Sequence, residues 1–123
     1  ILHATKISKG SEIFIPKLQA YSISGIKEAL FDLLGNTGEE ITGIREGEKL
    51  NEVLLNREEI RYSWEYENMY MVLNPLSKNN IPIEQYENAT KIDNMTEYSS
   101  DSVEKFSIDN MKKIILNSDL LPK

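Results

Sequence analysis

Short apolar runs, separated by glycine or proline, fill the first half of the chain, and the period of each run sets the element it predicts. Ile1, Ala4 and Ile7 are spaced for the last turns of a helix, with Gly10 placed as its C-terminal cap. Ile13-Phe14-Ile15 predicts a short buried strand closed by Pro16. Ser24 is positioned to cap a helix whose Ile26, Ala29, Leu30, Leu33 and Leu34 repeat at i, i+3, i+4, i+7 and i+8. Gly35 ends that helix and Asn36-Thr37-Gly38 turns the chain. Glu40–Ile44 predicts a second short strand, and Leu50, Val53 and Leu54 mark one face of a short helix.

The second half is less regular. Asn56 is placed to cap a helical turn over Arg57–Ile60. Tyr62, Trp64 and Tyr66 alternate, and Met69–Leu73 predicts a strand ending at Asn74-Pro75. Ser77–Tyr98 is polar, rich in Asn and Glu, and weakly periodic, which predicts loop. Ser107 caps a final helix carrying Ile108, Met111, Ile114 and Ile115 on one face. Strand–helix–strand–helix in the first half predicts a small mixed α/β fold. Residues 1–76 form its core, and 77–123 add a polar loop and the C-terminal helix of the same domain.

Composition narrows the function. The chain has 123 residues, 40% of them hydrophobic and 28% charged, as expected for one small soluble domain. No apolar run approaches the ~20 residues that span a bilayer, and no signal-peptide pattern precedes Lys6 and Lys9. A cytoplasmic protein without membrane attachment is therefore expected. Without cysteine there is no disulfide, thiolate metal site or cysteine nucleophile. Asn88-Ala89-Thr90 and Asn94-Met95-Thr96 are read as chance triplets. The net charge of −6 argues against nucleic acid, which needs a basic face, and leaves an anionic small ligand to be held by local positive groups. Ile1 is not an initiator, so the helix it opens is expected to belong to a longer protein.

Among candidate chemistry, the glycine-flanked loop Gly43-Ile44-Arg45-Glu46-Gly47-Glu48-Lys49-Leu50 stands first. The planar, permanently charged guanidinium of Arg45 can grip a pyrophosphate with two parallel hydrogen bonds. The Glu48 carboxylate can span the vicinal hydroxyls of a ribose, and Gly47 permits a sharp turn. The alternative is a solvated turn in which Arg45 and Glu48 pair with neighbours. Tyr62, Trp64, Tyr66 and Tyr70 suit a sugar-stacking platform or, more commonly, a core or interface. His3 stands alone, and Asp93-Asn94 and Asp101 lack the glycine and glutamate of a calcium loop. Gly35-Asn36-Thr37-Gly38 follows a helix rather than a strand, so it is no dinucleotide fingerprint. None of the six tyrosines has a lysine four residues later, so the Tyr-x-x-x-Lys proton-transfer pair is missing.

Three segments, in order, resemble one family: Gly10-Ser11-Glu12-Ile13-Phe14-Ile15-Pro16-Lys17, Gly43 through Leu54, and Tyr98-Ser99-Ser100-Asp101. It is the polysaccharide-biosynthesis group of extended short-chain dehydrogenase/reductases, which act on UDP-sugars. The likeness is greatest to the inverting UDP-N-acetylglucosamine 4,6-dehydratases, then to the UDP-sugar epimerases of capsule synthesis. Arg-x-Gly-Glu-Lys-Leu is its most specific part. The sequence departs from the family pattern at Ser11, Gly25, Glu46 and Asn51, where Gly, Asp, Pro or His, and His or Tyr are usual.

The resemblance implies a substrate-binding lobe, with Arg45 on the pyrophosphate, Glu48 on the uridine ribose and Lys17 on phosphate or sugar. It places NAD or NADP, with the catalytic acid and base, on an N-terminal Rossmann domain that these residues do not contain. The parent would oxidise C4 of the sugar, eliminate water across C5–C6 and return the hydride at C6, or, as the alternative, epimerise. The expected partners are a UDP-sugar, the Rossmann domain and further copies of the chain in a homo-oligomer. A non-catalytic carbohydrate-binding or assembly module is the reading from a different class.

Overall fold

A computed structural model describes residues 1–76 and 81–118, and Ser77–Asn80 and Asp119–Lys123 lie outside the described residues. The order of elements is α1 (Leu2–Ile7), β1 (Glu12–Pro16), α2 (Ile23–Leu34), β2 (Val53–Leu55), α3 (Arg57–Ile60), β3 (Ser63–Tyr66), β4 (Met69–Leu73), a 3₁₀ turn (Ile83–Gln85), β5 (Thr90–Lys91), β6 (Tyr98–Ser99) and α4 (Ile108–Asn117). The class is mixed α/β, as expected, with every strand pairing antiparallel.

A four-stranded sheet runs β1-β4-β3-β5, and β2 pairs with β6 in a two-stranded sheet. β4 is central, bonded to β1 through Ile15 opposite Tyr70 and to β3 through Trp64 opposite Met71. β3 and β4 join through Glu67 and Asn68, both with positive φ, 48° and 60°. That is the backbone of a two-residue hairpin turn whose twist matches the strands. Alternation along β4 sends Tyr70 and Val72 to one face and Met71 to the other. The first face meets Leu55, Ile60, Ile92 and Tyr98 in the main core, with Ile15, Met95 and Val103 partly buried against it. Met71 and Leu55 are fully buried.

α2 and α4 pack against each other beside the sheets. Ala29 of α2 and Met111 of α4 are buried, and Lys112 is ion-paired with Asp32. Gly25 lies against this contact, where an added Cβ would meet Ser22 Oγ at 2.9 Å and Met111 Cε at 3.2 Å. The segments leading into the two helices are tied to each other at Ala20, whose N–H donates to Glu104 O at 3.2 Å and whose carbonyl accepts from Phe106 N–H at 2.8 Å.

Several elements differ from expectation. Ser8, in extended conformation, closes α1 in place of Gly10, and α1 buries no residue. Ser22, not Ser24, caps α2, its side chain accepting from Gly25 N–H at 3.0 Å. Gly35 ends that helix as expected with φ +89°, and Asn36 Oδ1 then accepts from Gly38 N–H at 2.8 Å. Glu40–Ile44 forms no strand: every residue from Leu34 to Leu54 is exposed, leaving alternate apolar positions nothing to pack on. For the same reason Leu50 joins no helix, and Val53 and Leu54 enter β2 because β6 supplies backbone partners. Within 77–98, predicted as loop, β5 and the first residue of β6 are strand and Ile83–Gln85 is 3₁₀. The capping of α3 by Asn56 is as expected, and Glu59 completes a capping box.

Glu12 ties the α1–β1 turn to the other end of the chain. Its carboxylate accepts from Ser8 Oγ (2.9 Å), Lys9 N–H (2.7 Å), Gly10 N–H (2.9 Å) and the Tyr86 hydroxyl. Burial by itself pushes the Glu12 pKa up. The hydrogen bonds from Tyr86 and from backbone N–H groups outweigh it and hold the carboxyl down at about 2. Burial, and after it the same contact, push the Tyr86 hydroxyl well above the usual phenol range.

Two outcomes follow for stability. Leu55→Ala removes a fully buried side chain and should cost about 2–5 kcal/mol in urea titration, against about 1 kcal/mol for Asn56→Ala at the α3 cap. A depressed carboxyl contributes stability that is complete above its unfolded value, near 4.5, and lost as pH falls toward 2. Unfolding free energy measured between pH 6 and 2 should therefore decline more steeply in the wild type than in Glu12→Gln. Parallel curves would show that Glu12 is not the group responsible.

Candidate functional site

An open groove of about 580 Å³ lies beside β2 and β6. Leu18, Tyr21, Ile23, Ile44, Leu50 and Leu54 give it apolar walls, and Ser99, Ser100, Glu48 and Glu52 supply polar atoms. These apolar side chains are among the most exposed in the chain, Leu50 at 83% and Ile23 at 78%. Its floor is well held. Tyr98 is buried, and its hydroxyl donates to Leu18 O at 2.9 Å and accepts from Leu18 N–H at 2.5 Å. The Tyr98 ring meets Tyr70 edge-on with centroids 4.8 Å apart. At the rim, Ser100 N–H donates to Glu52 O at 2.8 Å and Glu52 N–H to Ser100 Oγ at 3.0 Å. Sequence reading left Leu18 unmarked and gave Tyr98 and Glu52 no individual role, because only tertiary pairing makes the three neighbours.

The segment 43–50 borders the groove as a tight turn. Glu48 N–H donates to Arg45 O at 3.1 Å, and Arg45 N–H donates to Glu48 Oε2 at 2.9 Å. Gly47 sits third in this four-residue turn with φ +83°, the position and sign that a type II turn reserves for glycine. Glu48 lines the groove and Arg45 stands on the turn beside it. Among the described residues, neither the Arg45 guanidinium nor the Glu48 carboxylate makes an ion pair. The turn is exposed and the Glu48 carboxylate pairs with the backbone N–H of its neighbour Arg45, as in the solvated-turn alternative, while the Arg45 guanidinium makes no hydrogen bond or ion pair among the described residues.

Lys17 does not join them. Its Nζ lies 2.8 Å from Glu65 Oε2 and 5.1 Å from the Tyr70 ring centroid, at a shallow polar depression also bordered by Tyr66, Asn68 and Asn88. The depression is separate from the groove, whose lining begins one residue later at Leu18. The aromatic set is equally divided. Tyr70 is core, Tyr66 packs edge-on to Tyr86 at 5.5 Å, and Trp64 is covered by Lys91 Nζ at 4.0 Å. No aromatic platform is left open among them except at Tyr62, which is 41% exposed. Among the described residues no group of three or more His, Asp or Glu side chains is placed to hold a metal, and no helix is long and apolar enough to cross a membrane.

A family profile described as polysaccharide biosynthesis protein matches residues 1–74. The chain belongs to that family. The match takes in β1, α2, the Arg45–Glu48 turn and the β3–β4 hairpin. The inverting UDP-N-acetylglucosamine 4,6-dehydratase of Campylobacter jejuni serotype O:23/36 is 38% identical over 63 residues, 51% of this chain and 18% of that protein. The UDP-glucose 4-epimerase of Rickettsia felis is 25% identical over 122 residues, 97% of this chain and 35% of that protein. The X-ray structure of Pen from Bacillus thuringiensis superposes with a TM-score of 0.78 at 31% identity, over 98% of this chain and 35% of that one. This member of the polysaccharide biosynthesis family therefore spans between about a fifth and a third of the relatives it matches.

Exposure sets the expectation for the turn as a structural element. Arg45→Ala, at an exposed side chain with no hydrogen bond or ion pair among the described residues, should shift unfolding free energy by no more than about 0.5 kcal/mol. A loss above about 1 kcal/mol in chemical denaturation would mean that the guanidinium is a structural partner.

Proposed function

We propose that residues 1–123 hold the nucleotide of a UDP-sugar for an NAD(P)-dependent 4,6-dehydratase of UDP-N-acetylglucosamine in surface polysaccharide synthesis. The observation that carries this reading is the Arg45–Glu48 turn at the mouth of the apolar groove. An exposed guanidinium that makes no ion pair among the described residues stands beside a carboxylate that lines an apolar cleft. Diphosphate, ribose and base ask for those three things: a forked cation, a charged acceptor and an apolar wall. Arg45 would take the pyrophosphate and Glu48 the ribose hydroxyls. Lys17 would reach a phosphate or sugar only by leaving Glu65, so its part is secondary.

These residues bind and orient, which can lower a barrier by fixing the reacting geometry. The hydride chemistry belongs to NAD or NADP, for which a Rossmann domain outside residues 1–123 is the proposed seat. The residues described do not fit a dinucleotide. Gly35–Gly38 follows the C-terminus of α2, where a phosphate cradle must instead open a helix. No step through the cofactor is therefore assigned to this chain. A cytoplasmic location and assembly into a homo-oligomer are part of the same proposal. An epimerase parent is the second reading, supported by the epimerase relatives that align with 97% of the chain.

Calorimetric titration of UDP tests the assignment. Arg45→Ala should weaken UDP roughly 10- to 100-fold, the effect of losing a charge-assisted bond of about 1.5–3 kcal/mol. Arg45→Lys should recover part of it, keeping charge without the fork, and Glu48→Gln should lose less than Arg45→Ala. Equal UDP affinity in wild type and Arg45→Ala would remove the nucleotide from this turn. In a protein carrying the preceding domain, a 4-keto product identifies the dehydratase, and a C2, C4 or C5 epimer as sole product the alternative.

A further inference from the structure

Resting on the nucleotide reading, we infer that Glu48 is also the positioning residue for Arg45, so that the two act on the diphosphate as one unit. Three observations on the turn point the same way. The Glu48 carboxylate accepts the Arg45 backbone N–H at 2.9 Å through Oε2. The return bond, Glu48 N–H to Arg45 O at 3.1 Å, closes the turn, with Gly47 at φ +83° setting its hand. Among the described residues, 43–50 make no other hydrogen bond or ion pair: all are exposed, and Gly43 and Gly47 have no atom within 4 Å of where a Cβ would stand.

In an exposed loop, the free energy to order a side chain before binding has to come from local bonds or from the ligand itself. Here the local bonds converge on Glu48. One carboxylate oxygen holds the backbone at Arg45, which fixes where the guanidinium stem leaves the chain. The other is the oxygen left over for a hydroxyl at the groove. Loss of the Glu48 side-chain acceptor should then weaken ligand binding twice, once at the ribose and once at the diphosphate through a slackened Arg45. Electrostatics alone predicts the reverse for the second effect, because deleting a negative charge next to an anionic ligand favours binding.

The test separates the two with ligands that lack the ribose hydroxyls. UDP and 2′,3′-dideoxy-UDP are titrated into wild type, Glu48→Ala, Glu48→Gln, Arg45→Ala and the Arg45→Ala/Glu48→Ala double variant. Glu48→Ala is expected to weaken dideoxy-UDP roughly 2- to 10-fold, the worth of one hydrogen bond. Glu48→Gln, whose amide oxygen can still accept the Arg45 N–H, should keep most of the wild-type affinity for dideoxy-UDP while losing affinity for UDP. In the Arg45→Ala background, Glu48→Ala should produce no further loss with dideoxy-UDP, since there is no guanidinium left to position. Unchanged or tighter dideoxy-UDP binding in Glu48→Ala overturns the positioning role and leaves the nucleotide site standing. Failure of wild type to bind UDP at all overturns both. A readout independent of ligand is exchange of the Arg45 amide with solvent, expected to quicken roughly 2- to 10-fold in Glu48→Ala and not in Glu48→Gln. Equal exchange in all three proteins would likewise defeat the inference.

Discussion

β4 is the element on which the rest of the chain depends. It is hydrogen-bonded on both sides, to β1 and to β3, and its five residues point alternately to the two faces of the sheet. Tyr70 and Val72 anchor the core shared with Leu55, Ile92 and Tyr98, while Met71 is sealed on the opposite face. A strand buried on both faces has no tolerance for a register slip, because a shift by one residue would exchange Met71 for Tyr70 or Val72 in every contact. The hairpin turn at Glu67-Asn68 holds that register on one side. Glu12, knitted to Ser8, Lys9, Gly10 and Tyr86, holds it on the other.

From that anchored sheet the groove takes its geometry. Tyr98 touches Tyr70 on one side and grips both backbone polar groups of Leu18 on the other, so a core tyrosine also places a groove wall. The opposite wall has no such support. Leu50 and Ile44 project from a segment without regular structure, and the Arg45–Glu48 turn holds itself together through its own two hydrogen bonds. The site thus joins a rigid floor to a self-contained turn, an arrangement in which the loop carries the chemistry and the sheet carries the position.

How much of this was legible in the sequence depended on whether the signal was local. The α3 cap at Asn56, the stop at Gly35, the limits of β4 and the Ser107 cap are set by residues within a turn of one another, and the sequence placed them correctly. Ser22 and Ser24 are chemically equal candidates two residues apart. What decides between them is that the Ser22 hydroxyl lies within reach of the Gly25 N–H. Glu40–Ile44 failed for a different reason. Alternation predicts a strand only where there is a surface to bury one face, and no described residue covers that segment. β5 and β6 were invisible because two-residue strands carry no period and form only where β3 and β2 offer a partner. Motif chemistry marked Arg45 and Glu48, and the structure brings them together in one turn beside the groove. The separation of Lys17 from them could not be foreseen, since Glu65 lies 48 residues away in sequence.

Gly25 has a meaning beyond the packing of two helices. At position 25 this chain has only a hydrogen, and the Ser22 hydroxyl and the end of Met111 come to 2.9 and 3.2 Å from the position a Cβ would take. The two residues are 86 positions apart, yet they share one small volume, and what one gives up the other occupies. A chimera that brings in an α2 with a side chain at this position would have to shift the end of Met111 and would crowd the Ser22 hydroxyl that caps the incoming helix.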